Sequence, residues 1–173
     1  MDPVEIDAIP ATVEEFLELR DELAATPEGA AMLMVLALLK FATDEDVGRQ
    51  FLAMSVHSES LWDGPEGYKG KQLSRGSLRL IGFQIHDRSY IVQSYFQGTS
   101  LENGYKLPGP PYRFEYSTNR YSGDPESGKF KLFIHSSGAD MPRPVTVKKD
   151  DDGFWKTAEW TSLIVGVKEP ENE

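Results

Sequence analysis

Cysteine is absent from the sequence, so the chain forms no disulfide and has no thiolate for catalysis or metal binding. Its longest apolar run, residues 30–39, is much shorter than the ~18 residues that indicate a membrane span. The first ten residues, MDPVEIDAIP, lack the basic and apolar pattern of a secretory signal. We therefore expect a cytoplasmic protein with no membrane partner.

Histidine is scarce, and the three histidines, His57, His86 and His135, are far apart in sequence. No metal-binding spacing and no glycine-rich phosphate loop is present. His135, Ser136 or Ser137, and Asp140 supply the residue types of a hydrolase triad. Neighbours on a strand point to opposite faces, however, and the base of a triad must reach both partners. The sequence therefore predicts no cofactor, no metal site and no catalytic residue.

Basic residues are outnumbered by acidic ones, 18 against 28, which gives a net charge of −10. A nucleic-acid partner is not expected, because phosphate binding needs a basic face. The charge instead suggests a basic protein partner. With 173 residues, of which 39% are apolar, we expect a single domain over residues 1–173. The sequence does not indicate the oligomeric state.

Capping signals predict three helices in the first part of the chain. Thr12 and Glu15 have the spacing of a capping box, and Thr26 precedes a proline at the first position of a second helix. The acidic segment 43–46 suits the N-terminus of a third helix. The second helix, about 27–41, is apolar over its whole circumference and is therefore predicted to be buried on all sides.

The spacing of apolar residues changes near residue 75, from one typical of helices to one typical mostly of strands and turns. Residues 59–74 are predicted to be an irregular connection rich in glycine and proline. Residues 75–87 are predicted to form a fourth, short helix, with a strand as the alternative, because a short apolar run fits both. From residue 89 onward, alternating and β-branched residues predict strands. These strands are predicted at 89–96, 112–117, 129–136, 143–149 and 154–167.

Together these elements predict an α+β fold. Three to four N-terminal helices pack on a curved antiparallel β-sheet, a meander of about five strands. Asp152 and Gly153 form the residue pair preferred in tight hairpins, so the two strands that flank them are expected to pair. Residues 1–10 and 168–173 are expected to be flexible.

Two irregular segments of the β half, 98–112 and 136–144, are predicted to meet at one end of the sheet. Polar residues on rigid loops often form binding sites, and the stiff prolines reduce the entropy lost on binding. A structural loop that covers the end of the sheet is the favoured alternative for 98–112. For Arg143, an ion pair with Asp140 is favoured over an anionic ligand. The candidate binding residues are Asn103, Tyr105, Asp140 and Arg143.

Three stretches of sequence resemble a family of bacterial proteins of about this length that is classed only as a domain of unknown function. They are TPEGAAMLMVLALL at 26–39, SYFQGTSLENGY at 94–105, and the segment 136–170. The resemblance covers most of the chain and implies a bacterial origin and a single α+β domain. It implies no activity, substrate or catalytic residue.

The sequence does not identify a function, and two hypotheses compete. The first is a non-enzymatic binding or accessory protein with a protein partner. The second is a small-molecule binder or enzyme with a pocket between helices and sheet, as in cone-shaped folds similar to nuclear transport factor 2. A deep pocket with convergent polar groups would favour the second hypothesis. The residues that would line this pocket are Tyr90, Tyr95, Trp155 and Trp160.

Overall fold

The computed structural model describes residues 2–171 and has the predicted α+β architecture. Its helices are α1 (Val13–Leu23), α2 (Pro27–Thr43), α3 (Glu45–Ser55), α4 (Arg75–Ile85) and the single turn α5 (Tyr90–Gln93). Its strands are β1 (Val4–Ile6), β2 (Trp62–Tyr68), β3 (Lys71–Gln72), β4 (Tyr112–Phe114), β5 (Tyr116–Ser117), β6 (Lys129–Ile134), β7 (Arg143–Lys149) and β8 (Trp155–Glu159). Within residues 2–171, every helix is too short or too polar to cross a lipid bilayer.

Helix α2 is the central element of the core, as its apolar circumference predicts. Thr26 caps its N-terminus by accepting a hydrogen bond from the Gly29 N–H at 3.1 Å, and Pro27 occupies the first helical position. Helices α1, α3, α4 and α5 contact it, and so do strands β6, β7 and β8. Its side chains from Ala30 to Leu38 are almost fully excluded from solvent. The helices and the main sheet therefore share one hydrophobic core built around α2.

The main sheet is an antiparallel meander of four strands in the order β5-β6-β7-β8. Strand β6 buries the alternate residues Leu132 and Ile134, whereas β7 buries three consecutive residues, Val145, Thr146 and Val147. The hairpin predicted at residues 152–153 is confirmed, because β7 pairs with β8 across this turn and Gly153 has a φ of +86°. Two smaller antiparallel pairs, β1 with β4 and β2 with β3, lie outside this sheet. The single strand predicted at 112–117 is therefore divided between two sheets.

Residues 89–96 are helical turns, where the sequence analysis predicted a strand. The Ser94 N–H donates to the Tyr90 carbonyl oxygen at 3.0 Å, which is a helical bond. The buried apolar residues are Ile91, Val92, Tyr95 and Phe96. This spacing has the period of a helix, whereas a strand that is half-buried would hide every second residue. The β-branched and aromatic content outweighed the periodicity in the prediction, and that prediction is wrong.

The segment 59–74 also differs from its prediction, because it contains the β2–β3 hairpin. The short helix predicted at 75–87 is confirmed as α4. Residues 1–10 were expected to be flexible, but β1 pairs with β4 and buries Val4 and Ile6. Near the C-terminus, the Lys168 N–H donates to the Gly138 carbonyl oxygen at 3.0 Å. Residues 172–173, also expected to be flexible, lie outside the described part of the chain.

Candidate functional site

The segments 98–112 and 136–144 meet at one end of the sheet. The hydroxyl groups of Thr99 and Ser137 are 2.9 Å apart, and the Ser137 N–H donates to the Ser94 carbonyl oxygen at 2.8 Å. Gly138 lies against the phenol of Tyr105 so closely that an added Cβ would overlap its oxygen. The four sequence-predicted binding residues belong to this junction, and each one has a partner within the chain.

Asn103 organises its own loop. Its side-chain oxygen accepts hydrogen bonds from the Ser100 N–H at 3.1 Å and from the Lys106 N–H at 3.2 Å. The Asn103 N–H in turn donates to the Ser100 hydroxyl at 3.2 Å. An asparagine side chain that forms hydrogen bonds with backbone groups before and after it stabilises a turn. These bonds replace the backbone hydrogen bonds that strand pairing would otherwise supply.

Tyr105 is fully buried and has a φ of +58°. Its ring stacks on that of Tyr90 at a centroid distance of 5.8 Å, and its hydroxyl donates to the Lys168 carbonyl oxygen at 2.7 Å. Burial raises the pKa of the Tyr105 phenol. The side chain therefore anchors the loop to the C-terminal segment.

Arg143 and Asp140 do not form the ion pair that the sequence analysis favoured. The Arg143 guanidinium donates to the Val165 carbonyl oxygen at 2.7 Å and packs over Gly166, whose φ is +75°. Asp140 instead pairs with Lys168, whose Nζ atom lies 3.1 Å from its carboxylate, and both side chains are exposed. Sequence proximity favoured the wrong partners, because the C-terminal segment supplies a partner to each residue, Val165 to Arg143 and Lys168 to Asp140. A binding role for the four predicted residues stays a prediction.

Three of the four aromatic residues proposed to line a pocket between helices and sheet are buried in the core, and the fourth, Tyr90, is half-buried against it. Tyr95, Trp155 and Trp160 are buried, and the Tyr95 hydroxyl donates to the Leu163 carbonyl oxygen at 2.8 Å. Burial raises the pKa of the Tyr95 phenol. Two cavities lie elsewhere, one of about 640 Å³ beside β1 and α1 and one of about 570 Å³ between α3, α4 and β2.

A polar network joins the β7–β8 turn to the end of α3. The nearly buried Asp150 carboxylate accepts hydrogen bonds from the Ser58 hydroxyl at 2.6 Å and the Ser58 N–H at 3.0 Å. Lys156 reaches the same carboxylate at 3.3 Å. Burial alone would raise the pKa of Asp150, but the bonds from Ser58 and the Asp151 N–H, with the charge of Lys156, hold it well below its ordinary value.

This network brings serine, histidine and aspartate together without the order of a catalytic triad. The carboxylate of Asp150 receives the Ser58 hydroxyl directly, and the nearest His57 nitrogen is 3.7 Å from that carboxylate. Both imidazole nitrogens have other partners, since Nδ1 accepts from the Glu59 N–H and Nε2 lies 3.2 Å from the Lys149 carbonyl oxygen. A triad needs the imidazole between hydroxyl and carboxylate. The cluster therefore fits a structural clamp.

No metal site accompanies this network. Within residues 2–171, no three side chains of metal-ligating types are grouped to hold an ion.

Helix α4 carries an exposed surface that the sequence analysis did not single out. Phe83 is 76% exposed and Leu80 is 41% exposed, and they lie one turn apart on the side opposite the buried Ile81 and Ile85. Phe83 also lines the cavity between α3, α4 and β2. The helical spacing of the buried residues was visible in the sequence, and it leaves these two apolar residues on the outer side.

Two arginines flank these apolar side chains. Arg75 and Arg79 line the same cavity, and within residues 2–171 neither guanidinium makes a hydrogen bond or an ion pair. Arg49, across the cavity on α3, differs because it pairs with Glu45 at 3.2 Å and with Asp46 at 3.3 Å. The exposed side of α4, defined by Arg75, Arg79, Leu80 and Phe83, is called the α4 face below.

Comparison with known proteins gives a family and no function. No curated protein and no solved structure matches the chain. One family model matches residues 8–171, which is nearly the whole chain, and its description is domain of unknown function (DUF6935). The match confirms the resemblance to a family of uncharacterised domains of this length. The chain belongs to the DUF6935 family.

Proposed function

We propose that this domain is a non-enzymatic binding protein whose partner is another protein, and that the α4 face is its docking surface. The observation that carries the proposal is the exposure of Phe83 and Leu80 next to each other beside a cavity. Single exposed apolar residues are common, but adjacent ones beside a recess are typical of interaction sites. Full burial of one such side chain contributes about 1.5–3 kcal/mol.

The charges of the α4 face define the chemistry of its partner. Arg75 and Arg79 have no carboxylate partner within residues 2–171, so both are available to a partner's carboxylates. Arginine binds carboxylates with two parallel hydrogen bonds, which adds direction to the charge attraction. The partner is therefore a protein segment that carries acidic residues beside an apolar side chain. The net charge of −10 suggested a basic partner, but the local surface decides which groups meet at an interface.

Peptide selection tests this proposal with a defined probe. Random dodecapeptides displayed on phage are selected on the immobilised protein, and the affinity of enriched peptides is measured by fluorescence polarisation. We expect enrichment of Asp and Glu near Leu, Phe or Trp. The double substitution Leu80→Ser, Phe83→Ser should weaken binding by about tenfold or more, because it removes apolar burial of at least one side chain.

The matched control changes an exposed aromatic residue elsewhere. Tyr121 is 68% exposed and lies in the loop between β5 and β6, so Tyr121→Ser should leave peptide binding unchanged. Circular dichroism confirms that both variants are folded. Selection without acidic enrichment, or equal binding by the Leu80/Phe83 variant, contradicts the proposal.

The setting proposed for this interaction is the bacterial cytoplasm. The resemblance to bacterial proteins and the acidic, cysteine-free composition support it. Fractionation of a bacterial host that carries the family member tests this location. Recovery in the membrane or periplasmic fraction would contradict it.

A further inference from the structure

The structure contains a groove whose charged side chains are acidic, whereas those of the α4 face are basic. Its cavity, about 640 Å³ in volume, lies between the chain from Glu5 to Ala11 and helix α1. The apolar side chains of Ile6, Ile9, Leu19 and Leu23 line it. A cavity of ~300–1,000 Å³ is the size that proteins use to enclose a small ligand or a few side chains. This feature is called the α1 groove.

Several carboxylates of the α1 groove are available to a partner. Glu5 already pairs with Arg113 at 2.8 Å, and Glu15 accepts the Ala11 N–H at 2.9 Å. The remaining three acidic residues make no hydrogen bond or ion pair within residues 2–171. They are Asp7, Glu18 and Glu22.

The α4 face and the α1 groove carry opposite charges beside apolar side chains. The face presents the protruding Phe83 beside two guanidinium groups, and the groove presents an apolar recess beside three carboxylates, all of them unpaired within residues 2–171. The groove therefore has the chemistry that the proposed function requires of a partner segment. We propose that the partner is a second copy of this chain, with the α4 face of one copy docked in the α1 groove of the next.

This inference rests on the proposed function of the α4 face and adds a directional assembly to it. The face and the groove are different surfaces, so the interface is heterologous, and a docked pair retains one free face on one copy and one free groove on the other. Such contacts repeat until a ring closes, or they extend as an open chain. Opposed charges at the rim also make the assembly weaken in high salt, because ions screen exposed charges.

Sedimentation velocity of the whole chain over a range of concentrations tests the assembly. We expect species larger than a monomer that grow with concentration and dissociate at high salt. The face variant Leu80→Ser, Phe83→Ser and the groove variant Glu18→Lys, Glu22→Lys should each shift assembly to concentrations about tenfold higher or more. The groove control Glu14→Lys, Asp21→Lys changes the same charge on exposed α1 residues outside the cavity lining and should assemble as the unaltered chain does.

A mixing experiment then separates directional docking from general stickiness. The face variant keeps an intact groove and the groove variant keeps an intact face, so an equimolar mixture should form pairs that contain one copy of each and do not grow further. A monomeric unaltered chain at all concentrations, assembly that ignores the variants, or failure of the mixture to pair overturns the second-copy assignment. Peptide selection tests the α4 face separately from assembly. Its result can therefore support or contradict the proposed function whatever the sedimentation and mixing experiments show.

Discussion

Asp150 illustrates how a residue in a turn can acquire a structural role that its sequence neighbours do not indicate. It follows β7 in a run of three acids, next to the predicted hairpin turn at Asp152 and Gly153. The fold places its carboxylate against Ser58, in the short turn that follows α3. A contact across so many residues of sequence depends on how the β7–β8 hairpin lies against the residues that follow α3, where Val56 pairs with Thr157 of β8, and local patterns do not encode this arrangement.

The depressed pKa of Asp150 leads to a prediction about pH. A carboxyl group whose pKa is lower in the folded chain than its ordinary value of 3.8 stabilises the fold above that value, and the stabilisation is lost as the pH falls below it. Asp150→Asn should cost about 1.5–3 kcal/mol at neutral pH, the typical value of hydrogen bonds to a charged group. The variant should also lose less stability than the unaltered chain as the pH falls below about 4.

Urea unfolding at neutral and acidic pH measures both effects. Asp151→Asn is the matched control, because Asp151 lies in the same turn with an exposed side chain. Equal pH dependence for the Asp150 variant and the unaltered chain would show that Asp150 is not held ionised by its partners.

The four candidate binding residues show which part of a site local sequence can predict. The turn chemistry of Asn103 was readable, since asparagine before glycine favours a turn. The partners of Tyr105 and Arg143 were not, because both side chains bond to backbone carbonyls of the C-terminal segment, at Lys168 and Val165. Those carbonyls have no signature in the sequence. The location where the loops meet could thus be anticipated, but the role of each side chain could not.

At the scale of elements, the helices were the most predictable part of the fold. Their capping residues and apolar periods are local signals, and Thr12 and Thr26 each accept the predicted hydrogen bond at a helix start. Residues 90–93 were wrongly assigned to a strand because their β-branched and aromatic composition favours one. A single helical turn is too short for its apolar period to outweigh that composition. The β7–β8 hairpin was predictable because its turn residues specify it, whereas β1 pairs with a strand that is distant in sequence.

Gly48 and Gly82 both face Phe41, and alanine at these two positions should change the stability of the fold in opposite directions. A Cβ added at Gly48 of α3 would overlap the backbone of Phe41, so Gly48→Ala should destabilise the fold by about 1–3 kcal/mol through overpacking. A Cβ at Gly82, inside α4, would meet only the ring edge of Phe41, at 3.9 Å, and the Glu45 carboxylate, at 4.0 Å. Gly82→Ala should therefore stabilise the fold by about 0.5–1 kcal/mol.

Guanidinium unfolding of the two alanine variants beside the unaltered chain checks this pair. The two substitutions add the same methyl group and differ mainly in the space available to it. Stabilisation by Gly48→Ala would mean that α2 and α3 are not as close at this crossing as the structure shows.

At the scale of the whole molecule, the order of helices before strands was sufficient to predict the fold class. It was not sufficient to predict how the chain ends are held. Residues 1–10 were predicted to be flexible because they are terminal and contain Pro3 and Pro10, and the three residues of β1, Val4–Ile6, carry too little periodicity to identify a strand. The strand is identified by its pairing with β4. The helices that separate β1 from β4 in sequence bring the two strands together.

The N-terminal strand should therefore contribute to the stability of the entire domain. Val4 and Ile6 are buried against the common core, and each is paired in register with a residue of β4. Replacing both with serine should lower the free energy of unfolding by about 1.5–3 kcal/mol for each side chain, because the apolar surface is lost from the core. Asp2→Ser, two residues before the strand and exposed, is the control.

Thermal unfolding followed by circular dichroism measures the difference. A flexible N-terminus, as the sequence alone suggested, would leave the melting temperature of the double variant unchanged. A cooperative transition at a lower temperature would instead show that β1 unfolds together with α2 and the main sheet, as its burial in their shared core requires.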